Sequence, residues 1–156
     1  MTELTHRRAD GAVHMVDVGS KPPTRRVARA EATLVTRPDV VGLLAEGRLP
    51  KGEAIGVARV AGIMAAKQTP QLVPLCHPIL IDAVEVDFDV REDRVVVTAE
   101  VATTGGTGVE MEAITAATVA AISLYDMVKA VDRLATIEGV RLVSKSGGKS
   151  GDWVRP

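Results

Sequence analysis

The sequence predicts an α+β subunit in which an antiparallel sheet carries one long helix. Three observations predict it. Alternation begins at Arg26, placing Ala28, Ala30, Ala32 and Leu34 on one face and Arg29, Glu31 and Thr33 on the other, the period of a half-buried strand. Two more alternating runs, VEVDFDV and RVVVTAEV, are joined by the short REDR turn, a hairpin signature. VEMEAITAATVAAISLYDMVKAVDR then runs from Val109 to Arg133 without Gly or Pro, which favours one long helix.

The remaining elements follow in order. Residues 1–23 lack periodicity and end in Lys21-Pro22-Pro23, so they read as an extended N-terminal arm. Its HMVDV segment, His14 to Val18, could add a short edge strand. Residues 24–156 read as a single domain with a C-terminal loop. Pro38 to Glu46 is a short helix with proline at its start, where the missing N–H costs nothing. Gly52 to Thr69 is a helix expected to stop before Pro70, because a proline drives its predecessor out of the helical region. LVPLCHP, from Leu72 to Pro78, is a loop bracketed by prolines, and Thr103 to Gly108 is a glycine-rich loop. GVRLVSK, from Gly139 to Lys145, is the last strand. The order β-α-β-β-α-β is the ferredoxin-like arrangement. Many functions use it, so it names none.

Composition narrows the classes. A chain of 156 residues fits one domain. It is 46% hydrophobic but only 2% aromatic, so Val, Ala, Ile and Leu must fill the core, and such small side chains favour close packing and subunit contacts. A net charge of -1 supplies no global field toward nucleic acid or membrane. The single cysteine excludes an intrachain disulfide and fits a reducing compartment. The polar start resembles no signal peptide, and no apolar run is read as a membrane span. A soluble cytoplasmic protein is expected.

KSGGKSGDW, from Lys145 to Trp153, looks like half of a phosphate-binding loop. Gly148-Lys149-Ser150 match the end of G-x-x-x-x-G-K-[ST], but the first glycine would fall on Val143, and six residues after Ser150 leave no room for the helix that the motif needs. What stands is a lysine-bearing loop whose glycines let backbone N–H groups approach an anion, against a plain solvated tail.

The long helix carries Glu110, Glu112, Asp126 and Lys129 among apolar neighbours. Asp126 and Lys129 share a face. A surface ion pair would be worth little, yet an apolar helix is buried or at an interface. Glu112 and Asp126 are 14 positions apart, roughly 21 Å along the axis. They cannot flank one small group within a single chain, so either the ligand is long or two chains contribute. The stripe Ala113, Ala116, Ala117, Ala120, Ala121 would admit another element closely. Cys76-His77 offers only two adjacent ligands, with His6 and His14 as the other histidines, which is poor for zinc; a pocket histidine fits better. Arg26, Lys51 and Lys67 sit at element ends and could join Lys145 and Lys149 around a polyphosphate.

Together HMVDV, KGEAIGVARVAGIMAAKQT, LVPLCHP, TGVEMEAITAATVAAISLYDMVKAVD and VRLVSKSGGKSGDW resemble the cyclic pyranopterin monophosphate synthase family of molybdenum-cofactor biosynthesis, over nearly the whole chain. The resemblance implies a ferredoxin-like subunit in a homohexamer, a trimer of dimers with sites at dimer interfaces. It implies conversion of 3',8-cyclo-7,8-dihydro-GTP to cyclic pyranopterin monophosphate with release of pyrophosphate. Asp126 and Lys129 become the acid–base pair. Arg26, Lys51, Lys145 and Lys149 become candidates for the triphosphate, with Lys67 held loosely. His77, Glu110 and Glu112 become candidates for holding the base and sugar or for further proton transfer, and Leu75, Cys76 and Met111 candidates for substrate binding. No metal site or required cofactor is expected, although Mg²⁺ could accompany the triphosphate, and the upstream radical enzyme is a candidate transient partner. Two other readings fit parts of the sequence. An RNA-recognition module shares the element order but needs strand aromatics, and only Phe88 lies in a strand. A nucleotide-binding scaffold without catalysis would use the same pocket.

Overall fold

The computed structural model describes residues 8–156; His6 and the first seven residues of the arm lie outside the described residues. The elements are β1 (Thr24–Val35), α1 (Pro38–Ala45), α2 (Ala54–Leu72), β2 (Ala83–Val90), β3 (Arg94–Gly105), α3 (Glu110–Val128), β4 (Thr136–Ser146) and β5 (Trp153–Val154). The sheet order is β2-β3-β1-β4-β5, and every neighbouring pair is antiparallel. Its first four strands have the ferredoxin-like order.

The alternation in β1 places Ala28, Ala30, Ala32 and Leu34 in the core. Val95, Val97, Ala99 and Val101 of β3 lie beside them. α2 and α3 cover this face and pack on each other. A Cβ on Gly62 of α2 would stand 3.0 Å from the Ala116 carbonyl oxygen and 3.2 Å from the Ala120 Cβ. The small-residue stripe of α3 is thus fully buried within its own chain. The element it admits is α2, not a second subunit, which corrects the expected use of that stripe.

Other features differ from expectation, among them α3, which ends at Val128 and not at Arg133. α2 does not stop before Pro70 but runs through it to Leu72. The proline sits in the last turn, where Val73 N–H still reaches the Thr69 carbonyl at 2.9 Å and only one ladder bond is forgone. HMVDV joins no strand of the sheet. Instead the arm crosses above the LVPLCHP loop, with His77 Nε2 donating to the Val16 carbonyl at 2.7 Å. The end of the chain returns as β5, pairing Lys145 with Trp153 and Ser144 with Val154. By length and composition α3 would also suit a membrane span, contrary to the expectation that no run would. However, 56% of that stretch is buried inside the fold, as in a core helix.

Candidate active site

The sequence-selected residues gather at the two ends of α3. At its N-terminal end lies a cavity of about 500 Å³. The LVPLCHP loop contributes Leu75, Cys76 and His77; the first turn of α3 contributes Glu110, Met111 and Glu112. Prolines at 74 and 78 stiffen the loop that presents Cys76 and His77. The arm closes one side with Val16, Val18 and Lys21, and Thr107 and Gly108 close another.

Glu112 is the buried charge of this cavity, 1% exposed. Its Oε1 accepts from Cys76 Sγ at 3.5 Å, and its Oε2 is buried without a hydrogen-bond partner. Burial pushes the Glu112 carboxyl above its ordinary value, with the Glu110 charge adding to the rise. Burial beside Glu112 also pushes the Cys76 thiol up to about 11. Cys76 therefore stays a thiol at neutral pH and is a donor, not a nucleophile. His77 keeps a proton on Nε2, since a carbonyl can only accept.

The C-terminal hairpin stands beside this end. Lys145 Nζ lies 3.3 Å from Glu110 Oε1 and donates to Ser150 Oγ at 2.7 Å. Lys149 is exposed in the hairpin turn. Arg26 reaches the same region, donating from Nε to the Gly105 carbonyl at 3.0 Å and from Nη2 to the Gly106 carbonyl at 3.3 Å.

At the other end of α3 Asp126 sits between two lysines. Lys51 Nζ is 2.5 Å from Asp126 Oδ2, and Lys129 Nζ is 2.8 Å from Oδ1. α3 ends at Val128, so Lys129 stands as its C-cap, where the helix dipole also favours a cation. Lys51 arrives from the connection between α1 and α2. Hydrogen bonding to Lys129 first, and to Lys51 second, lowers the Asp126 carboxyl to about 2. The same contact raises Lys129, so Lys129 starts as an ammonium. At this lysine the carboxylate partner outweighs burial, because both side chains are about half exposed.

Lys67 joins neither group. It is exposed on α2 beside a second depression lined by Ile63, Ile79 and Ile81. Among the described residues no three His, Cys, Asp or Glu side chains gather as a metal cage. Sequence reasoning missed Lys21, Thr107 and the valines of the arm. HMVDV alternates Val16 and Val18 with Asp17, a local signal that two valines share one face, here the cavity side.

The family described as MoaC matches residues 15–148, a span containing both ends of α3. A protein of Corynebacterium efficiens named cyclic pyranopterin monophosphate synthase is 58% identical over 98% of this chain and 99% of its own length. Proteins with the same name from Pelotomaculum thermopropionicum and Streptomyces coelicolor are 55% and 54% identical, over 99% and 97% of this chain and 92% and 89% of their own lengths.

Proposed function

The chain belongs to the MoaC family, and from that premise we propose how its geometry serves a cyclic pyranopterin monophosphate synthase. The observation that carries the reading is full-length identity above one half to proteins of that name. The substrate is 3',8-cyclo-7,8-dihydro-GTP. Its guanine-derived ring opens and recloses as a pterin, and a sugar-derived hydroxyl attacks the α-phosphorus. That step forms one P–O bond, breaks the bond to the β-phosphate oxygen, and releases pyrophosphate. The hydroxyl proton leaves to a base, and the leaving group carries the negative charge away.

Lys129 is the proton donor at the ring, because its contact with Asp126 keeps it charged. Asp126, held down to about 2, is too weak a base to take the proton and instead holds two ammonium groups in place. Once Lys129 has given up its proton, the neutral amine is the stronger base of the pair. Lys51, Lys145 and Lys149 supply positive charge for the triphosphate and the departing pyrophosphate. Leu75, His77 and Met111 line the cavity that takes the base and sugar, with the Cys76 thiol as a neutral donor beneath them and the buried Glu112 carboxyl, raised by burial, as its partner. Mg²⁺ on the triphosphate is compatible with this, since the phosphates themselves would hold it.

One chain puts the Lys129 end and the cavity roughly 21 Å apart. We therefore place each site between two copies, in a homohexamer built as a trimer of dimers. Half-exposed Val57, Val60 and Met64 along α2 support such contacts. Residues 24–156 act as the catalytic domain, with residues 1–23 as its arm. A cytoplasmic location is part of the same reading, supported by the free Cys76 thiol, as is transient contact with the radical enzyme upstream. The test is turnover: purified chain given the cyclised nucleotide should release pyrophosphate and yield the pterin. Binding without turnover by folded protein would favour the scaffold reading.

A further inference from the structure

We propose that Arg26 is a positioning residue, a latch that pins the C-terminal hairpin to the end of β3 and so sets where Lys145 and Lys149 are presented. Only the kinetic part of this inference rests on the function proposed above. The guanidinium is half-buried and already committed: Nε and Nη2 donate to the carbonyls of Gly105 and Gly106. Its remaining edge lies against the hairpin. A Cβ on Gly148 would fall 2.1 Å from Arg26 Nη1 and 2.7 Å from Cζ. Only glycine leaves room for the guanidinium there.

The neighbouring glycine is dictated by the same approach. A Cβ on Gly147 would stand 2.2 Å from the Arg25 carbonyl oxygen, and the φ angles of Gly147 and Gly148 are 83° and 75°. Two successive glycines thus let the turn lie on the backbone at Arg25 and the side chain of Arg26. Inside the turn, Gly147 N–H donates to Asp152 Oδ1 at 3.1 Å and Gly151 N–H to the Gly148 carbonyl at 3.2 Å. β5 adds two paired residues, and Arg155 N–H donates to the Val143 carbonyl at 2.8 Å; the arginine contact holds the turn from its other side, against the end of β3. A planar fork can serve two successive carbonyls and pack on a third segment; a lysine ammonium cannot. KSGGKSGD is therefore read as a latch seat followed by a lysine, not as a self-contained anion loop.

The experiment compares wild type with Arg26→Lys and Arg26→Gln. Tryptic cleavage after Lys149 is followed by mass spectrometry on the full-length protein without substrate, and steady-state kinetics are run in parallel. The latch predicts that both variants are cut roughly tenfold faster, as loss of a charged hydrogen bond implies. It also predicts KM raised about tenfold and kcat within about threefold. Arg26→Lys matching wild type would overturn it, because charge alone would then suffice. So would a raised KM in Arg26→Gln with unchanged cleavage, the mark of a direct phosphate ligand. If wild type fails to turn over the nucleotide, the proposed function falls, while the cleavage rates still decide the latch.

Discussion

Glu112→Gln removes one proton-binding site from the cavity with almost no change in volume. Glu112 is 1% exposed, and one of its carboxyl oxygens has no partner. Burial, first, and the charge of Glu110 raise its carboxyl above the ordinary 4.5, against weaker lowering by a backbone contact and Cys76. A folded-state pKa above the unfolded one means that the folded chain keeps a proton that the unfolded chain releases. That stability is fully present below the unfolded value and is lost as pH rises through the folded value. Each unit of upward shift is worth about 1.36 kcal/mol. Glutamine cannot titrate and keeps the neutral, hydrogen-bonding shape. At pH 4 the two proteins should therefore be nearly equally stable. At pH 8 Glu112→Gln should be the more stable, by roughly 2–4 °C in Tm for each kcal/mol at this chain length. Thermal unfolding from pH 4 to pH 8 measures both curves. A variant less stable than wild type at pH 8, or two parallel curves, would refute the argument and mean that Glu112 is ionised and well paired.

The remaining predictions concern the catalytic end and the core. Lys129→Ala should lower kcat by about 10²–10⁴, the usual worth of a positioned acid, while circular dichroism and assembly stay unchanged. Asp126→Asn takes away the main reason that Lys129 is raised; the alkaline limb of the pH–rate profile, where Lys129 loses its proton, should move to lower pH, and an unmoved limb would separate the two residues. Lys149→Ala should raise KM with little change in kcat; an unchanged KM would remove it from phosphate binding. Gly62→Leu should cost about 1–3 kcal/mol by overpacking α2 on α3, because even a Cβ there stands 3.0 Å from the Ala116 oxygen; a Tm equal to wild type would contradict the close helix contact.

The strands and α3 were legible because their signals are local. Ala28, Ala30, Ala32 and Leu34 alternate in sequence and lie in the core, and the hairpin pairs Val90 with Val95 around the REDR turn. The separation of Glu112 from Asp126 followed from helix rise alone. What was not legible depends on distant partners. β5 is two residues long and exists only through pairing with β4. Pro70 is tolerated because it falls in the last turn of α2, a boundary that no local preference announces. The alanine stripe carried no label for its partner, and Gly62 of the same chain was a better match than a second subunit. The charge of Arg26 is visible in a sequence, whereas the Gly105 and Gly106 carbonyls that its guanidinium meets are not.

The central claim is that one working site takes its acid from one chain and its cavity from another. Mixing Lys129→Ala with His77→Ala protein, after co-expression or unfolding and reassembly, tests it directly. Each variant alone should be inactive. Random pairing into two-fold dimers makes half of them mixed, and each mixed dimer holds one site free of both substitutions. The account predicts pyrophosphate release at about a quarter of the wild-type rate. A mixture as inactive as its two components, although mixed oligomers are present, would contradict it and place both groups of residues in one chain's site.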